Sequence, residues 1–427
     1  MKTFKKIVCL MLCLATMLSM LAFMAACNGD NEGDSTDGEG NTELQKEPDT
    51  VYRQDLKSYT LVIPSNISTN LKAIADNLAE ALNTAWKAEM NIVTDTAAEA
   101  TEYEILLGDT NRPETANFKE KIGDGQCGYG VIGRKIVILG SEEIYTEKAV
   151  NIFLSLVVLA TRSSATKYMD KTHEHIVSAE DMISVMSFNL RVGHSGSMQG
   201  SVSKLLKTYM PDLLGVQEAD SEWMGALTGR MGKNGYAAVG IGRDTDGKGE
   251  RTAIFYRKDK FELIDSTTLW LTDTPTEVSK VEGSESRRIV TIATFKRLSD
   301  GKEFVYANTH LDNSTEAVRE KQLRYLDQHI KGFTELPFIV TGDFNFTRSS
   351  STYKVATEEF GYENCSILAP NARNRANATF VAGGIIDYCF RSPGSPFEPY
   401  LYAVCTETKN GNVISDHYPL FFLFNLK

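Results

Sequence analysis

Cysteine is scarce, and its spacing suits neither metal nor redox chemistry. None of the seven cysteines forms a C-x-x-C pair or a zinc-finger spacing, so no dedicated zinc site is expected. Cys9, Cys13 and Cys27 fall in the first 27 residues. That leaves Cys127, Cys365, Cys389 and Cys405 for the folded part, where a disulfide and buried free thiols are equally open readings. Positive charge is in deficit as well. Lys and Arg total 45 against 56 Asp and Glu, a formal net charge of −11, which argues against a general polyanion binder because such affinity comes from cations neutralising phosphates. The chain has no basic loop interleaved with aromatics that would clamp a duplex. Arg287-Arg288 and Arg373 to Arg375 are isolated groups, expected on a solvated surface. A phosphoester substrate stays open, since bound cations can supply local positive charge.

Long apolar runs are also rare, and the first one has the flanks of an export signal. Lys2, Lys5 and Lys6 precede an apolar stretch over residues 7–23, and Met24-Ala25-Ala26-Cys27 follows. Small residues before a cysteine mark a lipoprotein signal, so residues 1–27 are expected to direct export and Cys27 to carry lipid. The run is short for a transmembrane helix. Residues 28–43, rich in Gly, Asp, Glu and Ser, are expected to be a flexible linker. The expected location is extracytoplasmic, at a membrane, through a lipid anchor, with the chain a monomer.

What remains is ordinary globular material: 42% hydrophobic and 24% charged, long enough for two full cores. Residues 44–179 alternate strand and helix. Tyr59 to Ile63 is a strand stopped by Pro64, Ser68 can cap a helix carrying Leu71, Ile74, Ala75, Leu78 and Leu82 on one face, and residues 149–161 form an apolar helix. A small ancillary α/β or α+β domain is expected there. Around residues 105–113 and 136–159 it resembles the ancillary domain that precedes the catalytic barrel in some glycoside hydrolases, which implies either spacing and packing or the binding of a surface polymer. His173 and His175, in a polar connector, are expected to be solvated rather than metal-bound.

Residues 181–427 change character, with many short apolar strands separated in places by amphipathic helices such as residues 316–330. Their number and spacing predict two packed sheets with helices on the outer faces. Polar residues collect at strand ends. In Gly342-Asp343-Phe344-Asn345, after the apolar run Leu336 to Val340, alternation puts Asp343 and Asn345 on one face and Phe344 in the core, and Gly342 lets the backbone approach a ligand. Asn189, Glu218, Asp387 and Asp416 stand at the ends of other strands, a set of oxygen ligands suited to Mg²⁺ or a similar hard ion, with Mn²⁺ or Ca²⁺ as alternatives. His310 and His417 also sit at strand ends, each flanked by carboxylates that can set tautomer and pKa. Asp312, close to His310, reads equally as a ligand or as a helix cap.

In series, Asn189, Gln217-Glu218, Glu250-Arg251, Thr309-His310, Gly342-Asp343-Phe344-Asn345, Ile386-Asp387-Tyr388 and Ser415-Asp416-His417 resemble the endonuclease/exonuclease/phosphatase superfamily over residues 182–427, and within it the secreted bacterial members. The resemblance implies a four-layered α/β sandwich, two mixed sheets with outer helices. It implies Glu218 as the main metal ligand with Asn189 and Asp416 nearby, and Asp343 and Asn345 positioning water and a phosphate oxygen. His417 would be oriented by Asp387, and His310, paired with Glu250, would bind phosphate or protonate the leaving oxygen. The function expected is a Mg²⁺-dependent phosphoester hydrolase, phosphodiesterase or phosphatase. Its substrate would be a phosphorylated small molecule, a phospholipid head group or extracellular nucleic acid, and the acidic balance favours the small molecule. The alternatives are an extracellular nuclease and a non-catalytic glycan-binding surface lipoprotein with a degenerate hydrolase domain. Degeneracy would show as a lost motif residue, and none is lost.

Overall fold

The strand Met182–Asn189 is buried at every position, which requires cover on both faces. Ile183 and Val185 point into the space between two sheets, while Met186 and Phe188 point toward helices. In the computed structural model, which describes residues 47–160 and 166–427, this strand lies near the middle of a seven-stranded mixed sheet. Its order is Tyr236–Val239, Ile254–Arg257, Leu213–Gln217, Met182–Asn189, Leu420–Leu426, Phe397–Val404 and Asn371–Arg373. A six-stranded sheet packs against it, ordered Phe261–Trp270, Ile289–Arg297, Glu303–His310, Phe338–Asp343, Asp387–Arg391 and Glu363–Asn364. Phe295, Phe304, Tyr306, Ile339, Phe422 and Phe424 fill the gap between them. Full burial of each such side chain contributes about 1.5–3 kcal/mol.

Helices complete the outer layers. Glu316–Phe333 is capped by Thr315, whose side chain accepts from the Val318 N–H, and it lays Leu323, Leu326 and Ile330 on the second sheet. Ser195–Tyr209 and Ser221–Gly232 cover the first sheet with Val202, Leu205, Leu206, Trp223 and Leu227. The result is the expected four-layered α/β sandwich. The signal, the linker and Cys27 lie outside the described residues.

The preceding lobe has its own six-stranded sheet, in the order Ile92–Thr94, Thr60–Ile63, Glu104–Leu107, Lys135–Gly140, Gln126–Ile132 and His175–Ser178. The first four strands are parallel, and Gln126–Ile132 runs antiparallel to both of its neighbours. Ser68 caps the helix Thr69–Trp86 as read from sequence, its hydroxyl accepting from Leu71 N at 3.0 Å. The apolar helix starts earlier than expected, as Glu143–Phe153, and runs into a wider turn over Leu154–Val158. Its first turns were hidden because Glu147 and Lys148, which look like surface residues, are buried. His173 and His175 are both partly exposed, and each has a partner. His173 closes a turn on Asp170, while His175 stacks on Tyr129 and bonds the Tyr400 hydroxyl. All four cysteines of the described chain are buried free thiols.

The buried charges of that helix tie the lobe to the sandwich. Lys148 Nζ meets Asp212 Oδ2, Lys260 Nζ meets Asp212 Oδ1 at 2.6 Å, and Glu147 Oε2 lies 3.3 Å from Arg257 Nη1. One hydrophobic cluster runs through both parts, joining Leu78, Leu82 and Phe153 to Leu205, Leu206 and Phe421, and Glu47–Lys427 forms one compact unit. Burial alone would raise the Asp212 carboxyl, but Lys148, Lys260 and Arg257 outweigh it and hold it far below the carboxylate range. We therefore expect Asp212→Ala to destabilise the protein by about 3–5 kcal/mol at neutral pH, since it strands buried ammonium groups. Because the folded pKa is depressed, this contribution is fully present above the unfolded value of about 3.9 and is lost progressively as pH falls from there through the much lower folded value. Urea denaturation of both proteins from pH 7 to pH 3 should show the gap in midpoint beginning to narrow below about pH 4; a gap that widens in acid would refute the role of the charge.

Candidate active site

Each sheet contains one parallel pair of strands whose carboxyl ends reach the same place. In the first sheet Leu213–Gln217 runs beside Met182–Asn189 with Gln217 opposite Asn189. In the second, Glu303–His310 runs beside Phe338–Asp343 with His310 opposite Asp343, and Asp387 begins the antiparallel neighbour opposite Asp343. His310, Asp343 and Asp387 thus occupy one rung, facing Asn189 and Glu218 across the sandwich.

Asp343 is the centre. Its Oδ2 accepts from Asn189 Nδ2 at 3.1 Å and lies 3.5 Å from both His310 Nε2 and His417 Nε2, while its Oδ1 accepts from the Asn345 N–H. The same Asn189 amide donates to Glu218 Oε1 at 2.9 Å, and Glu218 Oε2 accepts from Val192 N. His417 Nδ1 faces Asp387 Oδ2 at 2.9 Å, and the Phe380 ring lies 4.9 Å from its imidazole. Asn345 donates to the Leu311 carbonyl at 2.9 Å and approaches His310 Nε2 at 3.2 Å. Glu218 and Asn345 both take left-handed backbone, φ 55° and 51°. Such conformations are costly for non-glycine residues and recur at functional sites.

Cross-sheet spacing is set from below by Asn308. Its Nδ2 donates to the carbonyls of Val216 and Ala253, and its Oδ1 accepts from Gln217 Nε2 at 2.7 Å. Gly215 is needed for this approach, since a Cβ there would meet Tyr306 Oη at 2.5 Å. Gly342 has a similar use: a Cβ would strike the Thr309 carbonyl at 2.3 Å, so this glycine serves strand contact rather than access for a ligand.

The two histidines are held in opposite charge states. Burial lowers His417, but the Asp387 and Asp343 carboxylates outweigh it and lift it to about 10. Burial also lowers His310, and there Arg288 and Arg243 add to the effect, so it stays well below the usual imidazole range. Asp343 is pushed up by burial and by Asp387.

Among the described residues, the groups that could hold a metal are Glu218, His310 and Asp343, and Asp343, Asp387 and His417, with ligand atoms within 4.8 Å in each. Buried carboxylates repelling one another are the setting in which a divalent cation offsets charge, so this donor set, mostly oxygen and without thiolate, fits a hard ion.

Some expected residues lie elsewhere. Glu250 is not on His310; it pairs with Arg243, because the hairpin bond from Arg243 N to the Glu250 carbonyl brings the guanidinium over the carboxylate. Asp416 stands outside both groups and faces Arg191 at 3.5 Å. Asp312 neither binds the site nor caps the helix, a part Thr315 takes. It is buried under the 284–288 loop, accepting from Ser284 Oγ, the amides of Glu285 and Ser286, and Arg288 Nε. Arg288 and Arg373 are buried rather than solvated, Arg373 against Tyr209 and Glu407. Arg243 and Arg288 are the residues near the site that the sequence reading missed. A charged residue directly before the buried strand Ile289–Arg297 was the available signal.

A two-sheet sandwich with histidines and carboxylates gathered where strands of both sheets end defines a class of phosphoester hydrolases. Residues 186–417 match the model of the Endonuclease/Exonuclease/phosphatase family, and the chain belongs to that family. Among solved structures it is similar to a family member from Bacteroides thetaiotaomicron, at 27% identity and a TM-score of 0.53 over 57% of this chain and 97% of that one. It is also similar to the mannosyl-6-phosphatase of the same organism, at 26% identity and a TM-score of 0.52 over 56% of this chain and 98% of that one. Nocturnin from Rattus norvegicus is 28% identical over 158 residues, 34% of this chain. The chain spans 35% of the length of that curated relative.

A divalent cation that binds only the folded state adds about 2.7 kcal/mol when present at about 100 times its dissociation constant. Mg²⁺ should therefore raise the melting temperature of the native protein by several degrees and leave Glu218→Gln unmoved. An equal rise in both, measured by calorimetry, would remove Glu218 from the metal site.

Proposed function

We propose that the protein is a Mg²⁺-dependent phosphoester hydrolase of small phosphorylated molecules, sugar phosphates first among them, with Mn²⁺ or Ca²⁺ able to replace Mg²⁺. The observation that carries this reading is Asp343, placed 3.5 Å from each of two imidazoles and joined through Asn189 to Glu218. The choice of small molecules rests on the net charge of −11 and on the likeness to a mannosyl-6-phosphatase.

Glu218 and Asp343 would hold the ion, with Asn189 and His310 beside them. Its chemistry there is charge compensation on phosphoryl oxygens and a lower pKa for water. Asp387 fixes the tautomer and orientation of His417, so that His417 Nε2 presents an N–H toward the phosphoryl group, where charge develops as the ester bond breaks. Asp343, with its lone pairs directed by Asn189 Nδ2 and the Asn345 N–H, accepts the proton of the attacking water. Neutral His310, steadied by Asn345, contacts a phosphoryl oxygen or the leaving group.

Hydrolysis of p-nitrophenyl phosphate, bis-p-nitrophenyl phosphate and mannose 6-phosphate by residues 44–427 should require the metal and stop with a chelator. His417→Ala should lower kcat by about 10²–10⁴-fold, with Asp387→Asn falling between it and the native enzyme. Metal-independent turnover, or turnover that survives His417→Ala, would reject the mechanism.

The signal-like residues 1–27 support export and a lipid on Cys27, holding a monomer at the outer side of a membrane. Full-length protein should partition with membranes and Cys27→Ser should appear in the soluble fraction; co-fractionation of the variant with membranes would reject the anchor.

A further inference from the structure

Beside the catalytic groups lies a second, polar cleft of about 310 Å³, lined by Arg243, Asp244, Lys280, Glu285 and Arg287 among others. Its position relative to the site follows from backbone register. Glu218 is followed by Ala219, which bridges to Arg251; Glu250 precedes Arg251, and Arg243 N bonds the Glu250 carbonyl at 3.0 Å. Arg243 therefore stands between the two spaces, its guanidinium on Glu250 and its side chain in the wall of the cleft.

Both walls are fixed. On one side, Trp270 Nε1 donates to the Arg243 carbonyl at 2.9 Å, and Gly242 N bonds the Gly247 carbonyl. On the other, buried Asp312 gathers Ser284 Oγ and the amides of Glu285 and Ser286. Three cations thus line the space against two carboxylates in a protein of net charge −11. Among the described residues Arg287 is held only by Asp244, both half exposed, and Lys280 Nζ donates to a neutral acceptor, the Ser284 carbonyl. Exposed pairs of this kind are weak, and an incoming dianion can take the guanidinium from Asp244 with little loss.

We infer that this cleft receives a second phosphoryl group of the substrate, so that the preferred substrates are compact molecules phosphorylated at two positions, one phosphoryl group being cleaved and the other held by Lys280 and Arg287. The inference rests on the hydrolase reading above and narrows its substrate class. Its volume of about 310 Å³ suits a compact phosphorylated molecule, and Asp312 anchors the backbone of one wall.

The test compares phosphate release from glucose 1,6-bisphosphate and glucose 6-phosphate by the native enzyme and by Lys280→Ala/Arg287→Ala, with circular dichroism to verify folding. The native enzyme should favour the bisphosphate by about tenfold or more in kcat/KM, through KM, and the double variant should lose most of that preference; high salt should weaken it as well. No preference in the native enzyme, or a preference that survives both substitutions, overturns the inference while the hydrolase reading stands. The hydrolase reading fails on its own if neither these sugars nor the phosphoesters named above are hydrolysed. Calorimetric binding of the two sugars then decides the cleft: tighter binding of the bisphosphate that disappears in the double variant supports it, and equal binding overturns it.

Discussion

The side chain of Asn308 spans the gap between the two sheets, and the site above it depends on that reach. Asn189 and Glu218 belong to one sheet, His310, Asp343 and Asp387 to the other, and a sandwich held by apolar contacts alone can slide by fractions of an ångström. Asn308 bonds the Val216 and Ala253 carbonyls and Gln217 Nε2 just below the catalytic rung, so both halves are pinned at the level where their separation matters. Tyr306 and Thr341 extend the same buried network, their hydroxyls 2.7 Å apart. Directional bonds buried at this depth are costly to leave unmade, and they specify one alignment of the sheets.

Above that clamp the charges sort themselves. Asp343 is shared by both groups that could hold a metal, and burial together with Asp387 across the rung pushes its carboxyl up, so a positive neighbour favours its charged form. His417 meets part of that need from one side, and a cation between Glu218 and Asp343 would meet it from the other. His310 differs because burial, with Arg288 and Arg243 on its flank, disfavours a charge there. Each imidazole sits the same 3.5 Å from Asp343 Oδ2, but His417 alone has the Asp387 carboxylate against its Nδ1.

Much of this was legible in the chain. Alternation alone placed Phe344 in the core and Asp343 on the opposite face, and the order of the polar strand ends pointed to one family and to the sandwich it builds. The pairing of His417 with Asp387 also followed from that order, as the 2.9 Å contact bears out. What stayed hidden were partnerships set by long-range packing. Glu250 reads as the partner of His310 until the hairpin lays Arg243 on it, and Asp416 reads as a ligand while the fold sets it facing Arg191. Arg288, Arg373, Glu147 and Lys148 look like surface residues because charge in a sequence carries no mark of the opposite charge that will meet it when the chain is buried. Local patterns gave the strand ends, and tertiary contacts decided which of them matched.

The buried charges of the preceding lobe show why it does not build the site. Asp212, which receives Lys148, stands immediately before the strand Leu213–Gln217, and Ser184, also bonded by Lys148, lies near the start of Met182–Asn189. Both strands then run away from the lobe, and the catalytic groups come at their far ends. The helix Ser195–Tyr209 repeats the relation, since it begins just after Val192, which bonds Glu218, and ends where Lys207 and Met210 meet Asn77 of the lobe. A strand of five residues spans roughly 17 Å, so the lobe grips the sandwich at one pole while the chemistry occupies the other. Buried ion pairs suit that arrangement. They fix the orientation of the lobe through geometry, at the end of the sheets where no substrate has to enter, and the catalytic pole is left to the loops that follow the strands.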